Sequence, residues 1–307
     1  MDGVHGRAFW YLVQLRENRA ARLPVPDAAQ DRPAPCVVLC HGFSGTMDRL
    51  TVHASRFANG GTAALLFDYR NFGESGGEPR QLVEIDGQQD DIRAAVAYAR
   101  SRPEIDPERV ALWGNSLGGG HVIAVAAGDP RIAAVVAQIP YNGFPKRKDT
   151  RHTSSTSSQL KVTAAIFLDT IKGKLGLKPF YIPMVGGRGE LAVAASDAAQ
   201  HYVETMTGGD RDTLWKNEVA PRALLPMARF KPSQYAPKVR APVLVCAAES
   251  DREAPLENVR RLADLAPRGE LRVFPGTHFD FYLSPELRDR AIEEQTLFLQ
   301  EHLAAVA

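Results

Sequence analysis

Six short runs, apolar at nearly every position, recur along this chain of 307 residues: Pro35 to His41, Ala63 to Asp68, Arg109 to Trp113, Ile132 to Ile139, Pro242 to Ala247 and Leu271 to Phe274. A strand with one wet face alternates apolar and polar side chains. A strand without that alternation has to be covered on both faces, the condition met inside a parallel sheet. The segments between the runs carry helical spacing. Glu84 to Arg100 sets Ile85, Ile92, Val96 and Ala99 near one face, with acids early and Arg100 last, the polarity a helix dipole favours. Leu117 to Ala127 is small and apolar, suited to a buried helix, while Pro255 to Ala266 and Glu286 to Leu303 are amphipathic. Strands alternating with helices predict an α/β protein with a mostly parallel, doubly wound sheet. Residues 7–26 alternate loosely and end in Pro24 and Pro26, which predicts one or two peripheral strands without chemistry.

One stretch breaks the alternation. Residues 144–237 contain no apolar strand run, only helical patches at Leu160 to Ile171, Glu190 to Ala199 and Trp215 to Phe230. Long strandless segments inside an α/β chain are commonly functional insertions, so residues 1–143 and 238–307 are expected to form the core domain and 144–237 a largely helical cap. The insertion opens on a polar, basic stretch, Lys146 to Ser158, read as a solvated linker rather than a phosphate loop. Gly186-Gly-Arg-Gly189 follows no strand and is no nucleotide fingerprint.

Charge narrows the function classes. With 37 Lys and Arg against 36 Asp and Glu the net charge is +1, which supplies no field for drawing in nucleic acid or acidic membranes. Cys36, Cys40 and Cys246 each lie in an apolar run and read as reduced core residues, with no metal-ligand spacing around them. No stretch approaches the length of a membrane span. A cytoplasmic protein without metal or cofactor is the expectation.

The chemistry concentrates at Val110 to Gly120, where Gly114-Asn-Ser116-Leu-Gly118 directly follows an apolar run and opens a small-residue helix. A serine on such a sharp strand-to-helix turn is exposed and strained, and glycines two before and two after leave room for close packing. Its place at a helix N-terminus also puts backbone N–H groups beside any negative charge that develops there. A serine hydroxyl needs a base, and the base needs an orienting acid. The loop after the last apolar run offers the base in Gly276-Thr-His278. Asp251, after the run Pro242 to Ala247 and four residues before Pro255, offers the acid. Glu249 and Glu253 compete for the acid's role, and Asp280 lies too close in sequence to His278 to orient the same ring. The other histidines read as structural or solvated. His41 is assigned to bracing its own loop, and His121, five positions after Ser116, to packing. Acyl transfer needs oxyanion donors, assigned to the backbone N–H groups of Leu117 and of Phe43, after Gly42. Asp68 to Ser75 reads as a strand end and tight loop held by Asp68 and Arg70.

These pieces together resemble an α/β-hydrolase of the dienelactone-hydrolase and serine-aminopeptidase-like group. The matching segments are His41-Gly-Phe-Ser-Gly45, Phe67 to Ser75, Ile105-Asp-Pro-Glu-Arg-Val110, Gly114 to Gly118, Asp251 with Pro255, and Gly276-Thr-His-Phe-Asp280. The resemblance implies the α/β-hydrolase fold and a Ser116, Asp251, His278 triad in that chain order. Ser rather than Cys at the elbow departs from the dienelactone hydrolases proper. Epoxide hydrolases and haloalkane dehalogenases carry Asp there, so those reactions are not expected.

The expected activity is therefore cleavage of a small-molecule ester, thioester or lactone through an acyl-enzyme on Ser116. Peptidase, amidase or acyltransferase chemistry on the same triad is the alternative. A ligand-binding protein that kept the fold without turnover is the rival from another class. Apolar faces on the insertion leave a homodimer open.

Overall fold

The computed structural model describes residues 9–15, 19–26, 32–144, 156–187, 190–207 and 215–304. At one edge of its main sheet, β1 (Phe9–Leu15) and β2 (Arg19–Val25) form an antiparallel pair. The apolar runs supply β3 (Ala34–Cys40), β4 (Ala63–Phe67), β5 (Ile105–Asn115) and β6 (Val135–Gln138). A two-residue pair, β7 (Val185–Gly186) and β8 (Ala194–Ala195), stands apart from the sheet, and β9 (Val243–Ala248) and β10 (Gly269–Phe274) complete it. The eight strands lie in the order β1-β2-β4-β3-β5-β6-β9-β10, and every neighbouring pair from β4 to β10 is parallel.

Two-sided cover follows from the runs themselves. Every residue of β4 and β9 is buried. Along β3, Cys36, Val38 and Cys40 face one layer and Val37 and Leu39 the other, the period of two that a strand imposes. The first layer is built from α2 (Ile85–Arg100), α3 (Leu117–Ala126) and α7 (Leu256–Leu265). The second uses α1 (Thr51–Asn59) and α9 (Pro285–Leu303). The three cysteines are free and buried.

Between β6 and β9 the described chain makes α4 (Thr156–Lys174), the β7–β8 pair, α5 (Asp197–Thr207), a 3-10 turn at Pro221–Ala223, α6 (Leu224–Arg229), and further 3-10 turns at Pro232–Gln234 and Ala236–Lys238. The patch at Leu160 to Ile171 lies within α4. The patch expected at Glu190 to Ala199 begins later. Ser196 caps α5, its Oγ accepting from Ala199 N–H at 3.1 Å, and Ala194 and Ala195 belong to β8 instead. Of Trp215 to Phe230 only the last part is helical. Lys146 to Ser155 of the basic opening, and Arg188 and Gly189, lie outside the described residues, as do His5 and His152.

Helix α8 (Asp280–Leu283) follows β10 closely. The loops after β3, β5, β9 and β10 all leave the same, C-terminal rim of the sheet, where ligands of open α/β sheets bind.

Candidate active site

Ser116 directly follows β5 and sits at the N-cap of α3 with φ 50° and ψ −118°, a left-handed conformation costly for a residue with a Cβ. The turn is tight because backbones meet. A Cβ on Gly114 would sit 2.4 Å from Gly118 C and O, and one on Gly118 would sit 2.3 Å from Cys40 O. Backbone bonds hold the strained residue: Ser116 N–H donates to Gln138 O at 2.9 Å, and Ser116 O accepts from Tyr141 N–H at 2.8 Å and Gly120 N–H at 3.1 Å.

His278 arrives from the far end of the chain. Gly276, at φ +106°, turns the loop after β10, and its carbonyl accepts from Ser250 N–H at 2.9 Å. Asp280 then fixes the loop by accepting from Thr277 N–H at 2.7 Å and Thr277 Oγ1 at 2.9 Å. The structure brings His278 Nε2 to 3.1 Å from Ser116 Oγ and His278 Nδ1 to 2.8 Å from Asp251 Oδ2. Asp251 is itself held, its Oδ1 accepting from Glu253 N–H at 2.9 Å and Ala254 N–H at 2.7 Å. The carboxylate next to the ring is thus Asp251, not Glu249 or Glu253.

That placement decides the protonation. A carboxylate facing Nδ1 can only accept, so Nδ1 carries the hydrogen and Nε2 offers its lone pair to the serine hydroxyl. Burial disfavours the imidazolium, but the charge and hydrogen bond of Asp251, with the charge of Glu253, outweigh it and leave the His278 pKa above the ordinary 6.5. Burial acts in the opposite sense on Glu253, raising its carboxyl.

Gly42 brings the β3 loop against the nucleophile, since a Cβ on it would meet Ser116 Cβ at 3.1 Å. Phe43 follows it, and Leu117 opens α3 directly after Ser116. His41 does not reach the serine. Its Nδ1–H donates to Gly42 O at 3.0 Å, its Nε2 accepts from Tyr69 N–H at 3.4 Å, and burial pulls its pKa down to about 4. His121 is fully buried against Gln88 Oε1 at 3.0 Å. Asp68 organises the neighbouring loop by accepting from Met47 N–H at 2.7 Å and Glu74 N–H at 2.8 Å, while Arg70 pairs with Asp91 at 2.9 Å.

Two further features bear on the site, one without any counterpart in the sequence patterns. Ser44, next to Phe43, is held at φ 55° and donates from Oγ to Glu218 O at 3.0 Å, a bond across 174 positions. Tyr202 and Trp215, from residues 144–237, pack with Phe279 beside His278, and Phe43 and Tyr282 rest on the same cluster. The aromatics of residues 144–237 and at Phe279 and Tyr282 are a signal for the second, as pocket lining or as ordinary packing, and nothing in a linear pattern reveals the first. Among the described residues no group of His, Cys, Asp and Glu is placed to hold a metal, and no helix is long and apolar enough to cross a membrane.

The family model for serine aminopeptidase, S33, matches residues 31–281. The chain is 39% identical over 269 residues to the quorum-quenching protein AidA of Acinetobacter baumannii (strain MDR-ZJ06), covering 87% of this chain and 86% of that one. It is 29% identical over 243 residues to the polyketide transferase ATR5 of Stachybotrys chlorohalonatus (strain IBT 40285), covering 75% of this chain and 76% of that one. The crystal structure of the α/β hydrolase GrgF from Penicillium sp. sh18 superposes with a TM-score of 0.77 at 21% identity, covering 97% of this chain and all of that one.

Proposed function

The chain belongs to the serine aminopeptidase S33 family of α/β hydrolases, and from that premise we propose that it cleaves a carboxylic ester, thioester or lactone through an acyl-enzyme on Ser116. The observation that supports this most is the unbroken chain of contacts from Ser116 Oγ through His278 to Asp251, at 3.1 and 2.8 Å. His278 Nε2 takes the hydroxyl proton as Ser116 Oγ attacks the carbonyl carbon, and Asp251 stabilises the imidazolium so formed. The N–H groups of Phe43 and Leu117 face the tetrahedral oxyanion, each contributing on the order of 3 kcal/mol to the barrier's lowering. His278 then gives the proton to the leaving alkoxide or thiolate. Water, deprotonated by the same nitrogen, releases the acid and restores the serine.

Residues 144–237 cap this site in the proposal, through Tyr202 and Trp215 packed on Phe279. Incubation with a fluorophosphonate probe, followed by peptide mapping, tests the reading: Ser116 should carry the label in the folded protein, and an unlabelled Ser116 in active preparations would refute it. A panel of p-nitrophenyl esters, thioesters and lactones, run beside Ser116→Ala, then separates the bond types.

A second reading, acyl transfer, is favoured by the similarity to a polyketide transferase over three quarters of the chain. It shares the acyl-enzyme and differs only in which nucleophile reaches it. Added alcohol or amine acceptors that appear in the product would select it over hydrolysis.

A further inference from the structure

Helix α4 is apolar on two opposite faces. Ala165 is buried in the core, with Val162 and Ile166 packed against it, and Asp169 on the same side is fully buried in a two-point pair with Arg222 at 2.8 and 3.0 Å. The other face holds Leu160, Ala164, Phe167, Leu168 and Ile171, continued by Leu175, one residue past the helix, whose N–H still donates to Ile171 O at 3.1 Å. Their spacing of i, i+4, i+7, i+8, i+11 and i+15 confines them to an arc of about 100° pointing away from the protein. Phe167 is 66% exposed, Leu168 56% and Leu175 67%, and Leu177, just past the helix, is 52% exposed. Exposed apolar surface on the order of 600 Å² is at the upper limit of what soluble chains leave open without a use for it.

The charges around the stripe say what covers it. Lys174 lies on one flank and Lys161 on the other, Lys178 follows beyond the end, and all three are exposed. The one acid of α4 is Asp169, which is internal and neutralised by Arg222. Two exposed acids from the start of α2, Glu84 and Asp86, line a groove together with Thr170, Gly173 and Lys174 on one flank. An apolar arc rimmed by lysines matches an anionic lipid surface, with leucine and phenylalanine entering the acyl boundary and the ammonium groups reaching the phosphates. A second copy laid symmetrically on the same stripe would set lysines against lysines.

We propose that the outer face of α4 docks this protein onto anionic membrane surfaces, lying in the interface rather than crossing it. The docking is independent of the hydrolase reading, because it is measured as binding without turnover.

Flotation of the full chain with vesicles tests it. Binding to equimolar phosphatidylglycerol and phosphatidylcholine should exceed binding to phosphatidylcholine alone by at least about tenfold, and should weaken as salt is raised. The double variant Phe167→Glu/Leu168→Glu should lose at least about tenfold of that binding with an unchanged melting temperature. Lys161→Glu/Lys174→Glu, two fully surface changes, should lose the anionic preference and so guards against misfolding of the first pair. No flotation of the parent protein with the anionic vesicles overturns the proposal, as does flotation of both variants equal to that of the parent. A dimer in sedimentation that Phe167→Glu/Leu168→Glu converts to monomer overturns it as well, assigning the face to a second copy.

Discussion

Two buried imidazoles lie near the nucleophile turn, and their pKa values are displaced in opposite directions. His121, on α3, is stacked on Phe230 with ring centroids 5.2 Å apart and faces the amide of Gln88. Burial, with a smaller contribution from His41, drives its pKa down to about 3. His278 is nearly as buried, yet its pKa stands above 6.5 because a carboxylate faces Nδ1. Burial by itself makes an inert ring. A fixed anion makes one that can accept a proton and remain stable as the cation. The contrast separates packing from chemistry more sharply than position does, since both rings are close to Ser116 in sequence or in space.

The largest test of that contrast is to remove the anion. Asp251→Asn leaves His278 buried but without its compensating charge, so its pKa should fall toward that of His121. A drop in kcat/KM of roughly 10⁴-fold is expected on an ester substrate. The pH profile carries the sign. His278 works as a base only when neutral, so in the parent kcat/KM should rise with pH through a midpoint above 6.5, and in Asp251→Asn that limb should move to lower pH. A parent limb below 6.5 would contradict the assigned role.

Next comes the turn that aims the serine at one ring and not the other. In Gly118→Ala the new methyl would overlap Cys40 O at 2.3 Å and His41 O at 2.5 Å. Main chain cannot give way cheaply, so a loss of about 3 kcal/mol of stability is expected in chemical denaturation, with activity falling in whatever folds. A smaller effect should follow Ser44→Ala, which removes the bond to Glu218 O. About 1 kcal/mol of stability is expected to go, with kcat falling further than KM changes, as the Phe43 N–H loses its brace. Smallest of all, His121→Gln should leave the acid limb where it was. A shifted limb would mean that the two rings communicate.

The sheet was readable from sequence for the same reason that the site was. Parallel strands covered on both sides, such as Ala63–Phe67 and Val243–Ala248, write their burial as uninterrupted apolar runs, and the ends of those runs locate the rim. Ser116, Asp251 and His278 follow three such ends. Helix α1 was not anticipated, because its buried side is His53, Ala54, Phe57 and Ala58, too few large apolar residues to mark a face. The start of α5 was written in Ser196-Asp197, a capping pair, but the apolar Leu191 to Ala195 before it mimics a helix face. Lateral bonds such as Ser44 to Glu218 leave no periodic trace at all, since a carbonyl oxygen is the same in every residue. The outward stripe of α4 was visible as spacing, but which side faces solvent is decided by Asp169 meeting Arg222.

The free cysteines have a practical consequence. Burial pushes the Cys36 and Cys246 thiols up to about 12, and Cys40 higher still, so at neutral pH almost none is present as the thiolate that reacts with disulfide dyes. A chromogenic disulfide added to the native protein should therefore stay colourless, and under the proposed thioester cleavage it should colour only as substrate is cut. Colour would then count turnovers directly, and a slow background in the absence of substrate would time the opening of the sheet itself.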